Sequence, residues 1–107
     1  MNSLGQSRDM ITTILEDWLA ANRARVSAQE LVTTRSENWA SSSQDGGWLD
    51  LEGARAWGRV TFWPNGRADM EVLDVTTTLA VASWPDLALE PAQLGKWLEA
   101  LEAANAC

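Results

Sequence analysis

The sequence predicts an α+β fold in which two helices, one towards each end of the chain, pack on one face of an antiparallel sheet. Apolar residues recur at helical spacing in 8–22 and again after Pro91, and between these segments short runs alternate apolar with polar residues. Because consecutive strands usually pair with their neighbours, we expect a meander of four to five strands. Each helix has a single apolar stripe, which favours packing of both on the same sheet face.

The first half of the chain supplies one helix and two strands. Residues 8–22 have the i, i+3, i+4 apolar spacing of an amphipathic helix. Residues 30–35 have strand propensity and are expected to form an edge of the sheet. Residues 36–47 are rich in Ser, Asn, Asp and Gly, which indicates a loop, with Trp39 inside it. Residues 47–52 alternate cleanly, as in a half-buried strand.

The clearest pattern is a hairpin over 57–75, in which a Pro-Asn-Gly turn joins two alternating strands. A two-residue loop would place apolar residues opposite acidic ones, whereas a three-residue loop pairs Val60 with Met70 and Arg59 with Glu71. A slip by one residue moves every side chain to the other face, so the pattern selects the three-residue loop. The other predicted pairs are Gly58 with Val72, Thr61 with Asp69 and Phe62 with Ala68.

The last part of the chain is expected to form a strand over 79–84, ended by Pro85 and Asp86, and then a helix with Pro91 in its first turn. These elements together define a single core. The residues predicted to form it are Ile11, Ile14, Leu15, Trp18, Leu49, Leu51, Val60, Phe62, Met70, Val72, Val81, Leu94, Trp97, Leu98 and Leu101.

Composition predicts one domain over residues 1–107, because 46% of the residues are apolar and seven are Trp, which argues against disorder. No apolar run is long enough for a membrane helix, and the first residues lack the pattern of a signal peptide. The single cysteine, Cys107, cannot form an internal disulfide. These features lead us to expect a cytoplasmic protein.

The missing residue types limit the chemistry. With no His, no Tyr and one Lys, imidazole general-base catalysis, His-zinc sites and Cys-His nucleophiles are excluded. Eight basic and fifteen acidic residues give a net charge of −7, which repels nucleic acids and membrane surfaces and favours basic protein partners. The same charge would also simply keep the protein in solution. We expect a protein partner, no nucleic acid, no membrane and no cofactor.

Carboxylate chemistry has no motif to support it. Asp69 and Glu71 lie two residues apart on one strand, as a glycosidase pair could, but nothing indicates a sugar cleft. Asp50 with Glu52, or Asp69 with Glu71, could bind a divalent cation, yet scattered carboxylates on strands are more often solvated. No catalytic or metal-binding residue is assigned, and we expect a protein that is not an enzyme.

Two helices on one side leave the other sheet face open, and its side chains are Trp and charged residues. Ala80, Ala82 and Trp84 are further candidates from the last strand. Trp and Arg are enriched at binding hot spots, and an apolar patch rimmed by charge usually marks an interface. An oligomer that buries the face, or cross-strand pairs with Arg67 stacked on Trp63, would also account for it. The predicted partner-binding residues are Trp48, Asp50, Glu52, Trp57, Arg59, Trp63, Arg67, Asp69 and Glu71.

The stretch GRVTFWPNGRADMEVLDV, at 58–75, contains a G-R-V-T-x-W strand, a Gly turn and a D-x-E-V-L-D-V strand, and an apolar strand with Trp follows. It resembles the central pattern of TriTu-type immunity proteins, which are small bacterial proteins of polymorphic-toxin systems. The likeness extends loosely to a helix on either side. The matching residues are Gly58, Arg59, Val60, Thr61, Trp63, Gly66, Asp69, Glu71, Val72, Leu73, Asp74, Val75 and Trp84.

The resemblance implies an antitoxin that binds a secreted toxin of the type VI, Rhs kind, one to one, and blocks its active site. The toxin would be an ADP-ribosyltransferase acting on elongation factor Tu, and an acidic inhibitor suits a basic toxin cleft. A small acidic secretion chaperone or adaptor for an effector protein is the alternative, and a carboxylate-dependent enzyme is a third. A monomer that forms a one-to-one complex would favour the immunity protein, and a stable homodimer the chaperone.

Overall fold

The computed structural model describes residues 3–38 and 46–106 of the chain. Within these ranges the strands form one antiparallel sheet in the order β1-β2-β3-β4-β5, which is the predicted meander. Helices precede and follow it, so the predicted α+β class is confirmed. In chain order the elements are α1 (Ser3–Ala21), α2 (Arg23–Ala28), β1 (Val32–Asn38), β2 (Gly46–Glu52), β3 (Ala56–Phe62), β4 (Arg67–Asp74), β5 (Ala80–Ala88) and α3 (Pro91–Ala106).

The β3–β4 hairpin has the predicted register, because Val60 lies opposite Met70 and every other predicted pair is also formed. The loop has three residues, 64–66, because Trp63, directly after β3, still pairs with Arg67 at the start of β4. The N–H of Trp63 donates to the carbonyl of Arg67 at 3.0 Å, and the N–H of Gly66 returns to the carbonyl of Trp63 at 3.0 Å. Gly66 has φ +85°, a left-handed conformation that glycine adopts without the penalty of a Cβ. This turn fixes which side chains of the hairpin face the helices.

Helix α3 is seated on the hairpin through the indole of Trp97. The ring lies against Gly58, where an added Cβ would come within 2.8 Å of the ring atom Cζ2. The indole N–H donates to the backbone carbonyl of Glu71 at 3.0 Å, so the buried ring has its one polar group satisfied. Helix α1 joins on the same side, where Trp18 contacts Trp97 with a distance of 5.9 Å between ring centroids. Both helices therefore cover one face of the sheet.

The apolar core between the helices and the sheet agrees closely with the prediction. All but two of the predicted residues are buried: Ile14 is half-buried at the edge of the core, and Val81 is 58% exposed. Four small or isolated residues complete the core without having been predicted. They are Leu31, Ala56, Ala68 and Leu89.

Strand β5 differs from the prediction in length and in orientation. It continues through Pro85 to Ala88, because β5 is an edge strand of the described sheet, where a missing N–H is tolerated. Its pairing with β4 shifts register twice, and such bulges reverse which side chains face inward. Trp84 and Ala82, candidates for the open face, therefore pack on the core, and Val81 turns outward.

The N-terminal third also differs in its boundaries. Helix α1 begins at Ser3 instead of residue 8, the short helix α2 was not predicted, and β1 runs to Asn38. The predicted loop over 36–47 is thus partly strand at both ends, because β2 begins at Gly46. The expectations for Trp39 and Cys107 lie outside the described residues.

The end of α3 holds the turn between β2 and β3. The side-chain oxygen of Asn105 accepts hydrogen bonds from the N–H groups of Arg55 at 2.9 Å and Ala56 at 3.0 Å. Its amide nitrogen donates to the carbonyl of Ala56 at 3.2 Å. The helix thereby fixes both the middle of the hairpin and one end of the sheet.

Replacing Gly58 with Ala tests the seating of α3. The new Cβ would clash with the Trp97 ring, and overpacking of this kind costs about 1–3 kcal/mol of unfolding free energy. Gly95→Ala is the matched control, because nothing lies within 4 Å of its added Cβ and the residue is inside α3. There the change should stabilise the protein by about 0.5–1 kcal/mol. Urea unfolding followed by Trp fluorescence measures both, and equal effects would contradict the described contact.

Candidate functional site

The sheet face opposite the helices carries side chains that the strand register aligns in three cross-strand rows. We call this surface the open face. Because side chains alternate along each strand, the residues opposite one another across β1 to β5 share a row. The first row is Val32, Glu52, Trp57, Leu73 and Ala80, the second is Thr34, Asp50, Arg59, Glu71 and Ser83, and the third is Ser36, Trp48, Thr61 and Asp69.

An ion pair between Arg59 and Asp50 lies at the centre of the open face. Arg59 Nε donates to one carboxylate oxygen at 2.8 Å and Nη2 donates to the other at 2.9 Å, which is the bidentate geometry of a strong pair. The same guanidinium lies 4.5 Å from the ring centroid of Trp48 and 5.1 Å from that of Trp57. One cation therefore holds a carboxylate and two indoles in fixed positions.

Asp50 was expected on the exposed side of its strand, and it is on the open face but only 3% exposed. Arg59 covers it, so burial comes from a side chain of the neighbouring strand. The hydrogen bonds to Asp50 raise the pKa of Arg59 above its ordinary value, with smaller contributions from Glu71 and Glu52. Arg59 lies opposite Glu71 in the register, as predicted, but its hydrogen-bonded partner is Asp50.

Arg67 and Asp69 fasten the bulge of β5 to the hairpin. Arg67 Nε donates to the carboxylate of Asp86 at 3.0 Å, and Nη2 donates to the Asp86 carbonyl. The N–H of Asp86, which has φ +52°, donates to the carboxylate of Asp69 at 2.7 Å. Arg67 was expected to stack on Trp63, but it binds Asp86 instead. Arg67 and Asp69 therefore both stabilise β5 at one end of the open face.

Trp57 has an unusual environment in the first row. Its indole nitrogen is buried and finds no hydrogen-bond acceptor among the described residues. Most buried polar groups are paired, and leaving one unpaired costs about 1–3 kcal/mol, so such a group needs an explanation. The residue also lines a pocket at this end of the sheet. Trp57 therefore combines an unpaired buried donor with a ring that lines an open pocket.

The structure brings together four of the nine predicted residues, Trp48, Asp50, Trp57 and Arg59, in one contiguous cluster. Glu52 and Glu71 flank this cluster in the first and second rows. The remaining three, at the loop end, are Trp63, Arg67 and Asp69. Sequence reasoning did not identify Val75, Leu79 and Val81, which are exposed next to the first row, because bulges and turns carry no alternation signal.

The comparisons with known proteins agree with the hairpin pattern. A family model described as the immunity protein TriTu matches residues 13–99, which include all five strands. The chain belongs to this family. Immunity proteins bind toxins, so the partner of this chain is a cognate toxin. A search of curated proteins and of solved structures found no match. No helix in the described ranges is long and apolar enough to cross a membrane.

Arg59→Met tests whether the central pair holds the open face together. The substitution leaves the buried Asp50 carboxylate without its two donors. We expect a loss of about 2 kcal/mol in unfolding free energy, below the ~3–5 kcal/mol of a fully buried pair because Arg59 is 32% exposed. The double variant Asp50→Leu with Arg59→Met should recover most of the loss, since it removes the unpaired charge.

The matched control is Arg67→Met, because the Arg67–Asp86 pair is more exposed, with 44% of one side chain and 80% of the other accessible to solvent. Exposed pairs contribute about 1 kcal/mol or less. Urea unfolding of the four proteins gives the comparison. Equal losses at Arg59 and Arg67, or no recovery in the double variant, would show that the buried pair does not organise this face.

Proposed function

We propose that the chain binds the active-site region of its cognate toxin through the open face and so blocks access of the substrate. The observation that carries this proposal is the central cluster of Asp50, Arg59, Trp48 and Trp57 on a sheet face that neither α1 nor α3 covers. Interfaces place Trp and Arg at their centres and surround them with a polar rim. The open face has the same composition.

Rigid aromatic side chains lower the entropic cost of binding. Arg59 contacts both indoles and is itself fixed by two hydrogen bonds, so Trp48 and Trp57 are held in place before a partner arrives. Ordering a mobile side chain at an interface costs about 0.5–1.5 kcal/mol, and that cost is reduced where the side chain is already held. The cluster therefore supports a preformed binding surface.

The nine candidate residues divide by the contacts they already make. Asp50, Arg59, Arg67 and Asp69 are engaged within the chain and would shape the surface. The side chains available to a toxin are the half-buried indoles and the carboxylates beside them. These are Trp48, Trp57, Trp63, Glu52 and Glu71.

We further propose that the toxin is an ADP-ribosyltransferase of the type VI, Rhs kind that modifies elongation factor Tu, as the family pattern implies. The net charge of −7 suits a toxin cleft that binds phosphate groups and is therefore basic. Occlusion needs one immunity protein for each toxin and no catalytic group, and it takes place in the cytoplasm, where the factor is found. Inhibition should accordingly be stoichiometric.

Two substitutions on the open face test the proposed surface. Trp63→Ala removes an aromatic contact, and Glu71→Lys reverses a charge beside the central cluster. Each should raise the Kd for the cognate toxin domain by about tenfold or more, since hot-spot truncations and charge reversals at interfaces cost over 1 kcal/mol. Calorimetry with a catalytically inactive toxin measures the Kd.

Glu99→Lys is the control with the same charge change, because Glu99 is exposed on α3, across the sheet from the open face. Its Kd should stay within about twofold of the parent value. Transfer of labelled ADP-ribose from NAD to elongation factor Tu gives the second readout, and one equivalent of parent protein should abolish it. Tight binding by both open-face variants would refute the surface, and inhibition of a different reaction would refute the toxin class.

A further inference from the structure

A pocket of about 250 Å³ opens at the end of the first row, between the β2–β3 turn and the β4–β5 turn. Small-molecule sites usually measure about 300–1,000 Å³, so this pocket is suited to a single side chain rather than to a metabolite. Leu73 and Val75 supply apolar walls, and Trp57 supplies an aromatic one. The remaining lining residues are Glu52, Gly53, Asp74 and Thr78.

Exposed apolar side chains lie along the chain segment that borders the pocket, and Val75 also lines it. Val75 is 48% exposed, Leu79 67% and Val81 58%, and all three lie in or beside the β4–β5 turn. Exposed apolar side chains that gather next to a pocket mark an interaction site. The apolar surface of the open face therefore extends beyond the first row to the β4–β5 turn.

Two carboxylates give the pocket its charge. Asp74 accepts hydrogen bonds from the N–H groups of Thr76 at 2.8 Å and Thr77 at 2.9 Å through a single oxygen, Oδ1. These hydrogen bonds lower the pKa of Asp74, and the bond from Thr77 has the largest effect. The carboxyl group is therefore ionised at neutral pH. Glu52 is exposed, and its carboxylate accepts no hydrogen bond from any described residue. A neutral apolar occupant would bury these charges without compensation.

We propose that this pocket receives an arginine side chain of the toxin, with its aliphatic stem along Leu73 and Val75 and its guanidinium between Glu52 and Asp74. The open face already contains the same chemistry, because Arg59 lies against two indoles and binds a carboxylate through two of its three guanidinium nitrogens. A guanidinium stacks on aromatic rings and pairs with carboxylates better than an ammonium does. The inference rests on the proposed function for the identity of the partner.

The first experiment tests the pocket without a toxin. N-acetyl-arginine amide is titrated into the ¹⁵N-labelled protein, and N-acetyl-norleucine amide serves as the uncharged probe. Only the arginine probe should shift the amide signals of Leu73, Val75 and Thr78, and Glu52→Gln should abolish most of the shift. Equal shifts from the two probes, or no shift from arginine, would overturn the proposal.

The second experiment uses the toxin domain and separates the two proposals. Glu52→Gln with Asp74→Asn removes both charges, and an amide oxygen at position 74 can still accept the two turn hydrogen bonds. Its Kd for the toxin should rise about tenfold or more, as for a hot-spot contact. The control Asp17→Asn with Glu90→Gln makes the same charge change at exposed positions outside the open face, and its Kd should be unchanged.

The two Kd measurements show whether the arginine pocket or the proposed open-face interface is wrong. If the pocket variant binds as tightly as its control while Glu71→Lys does not, the arginine pocket is wrong and the open face stands. If the pocket variant loses affinity but Trp63→Ala and Glu71→Lys do not, the pocket is the contact and the wider surface is wrong. Rescue of neutralisation in cells by each variant should follow the same order as the measured Kd values.

Discussion

The contact between Trp97 and Gly58 is the constraint on which the rest of the structure depends. A large ring can lie flat on the hairpin only because position 58 has no side chain, and its N–H then reaches the carbonyl of Glu71. This contact seats α3 over β3 and β4 and, through Trp18, places α1 beside it. Since both helices pack on that face of the sheet, they leave the opposite face of the same hairpin uncovered.

The open face is held together by different chemistry from the covered one. Its centre is a buried carboxylate, a guanidinium and two indoles, and its loop end is fastened by Arg67, Asp69 and Asp86. Buried ion pairs contribute little net stability compared with apolar packing of the same volume. The arrangement therefore supports the proposed binding surface more than it supports the stability of the sheet.

The sequence could predict what depends on local alternation and could not predict what depends on contacts between strands. The register of the hairpin followed from sorting Val60 and Met70 from Arg59 and Glu71, and the structure has that register. The orientation of β5 was wrong, because two bulges reverse Val81 and Trp84 without leaving a mark in the alternation. The helix α2 was missed because six residues are too few to show a helical period.

For the candidate site too, local alternation was predictable and contacts between strands were not. The nine candidate residues were chosen because they share a face, and the alternation that places them there is a local property. Their separate tasks were not predictable, because the burial of Asp50 depends on an arginine from the next strand and the role of Arg67 depends on Asp86, nineteen residues away. Val75 and Leu79 lie at a turn, where no periodic pattern distinguishes a binding contact from an exposed loop residue.

The most direct test of the central claim is oxidative footprinting of Trp side chains, in the free protein and in its complex with the toxin domain. Trp48 and Trp57 belong to the open face and Trp63 lies in the loop at its end, whereas Trp84 packs towards the helices, and all four are half-buried in the free chain. Binding through the open face predicts that the first three lose reactivity while Trp84 keeps it. Protection of Trp84 with unchanged reactivity of the other three would contradict the account.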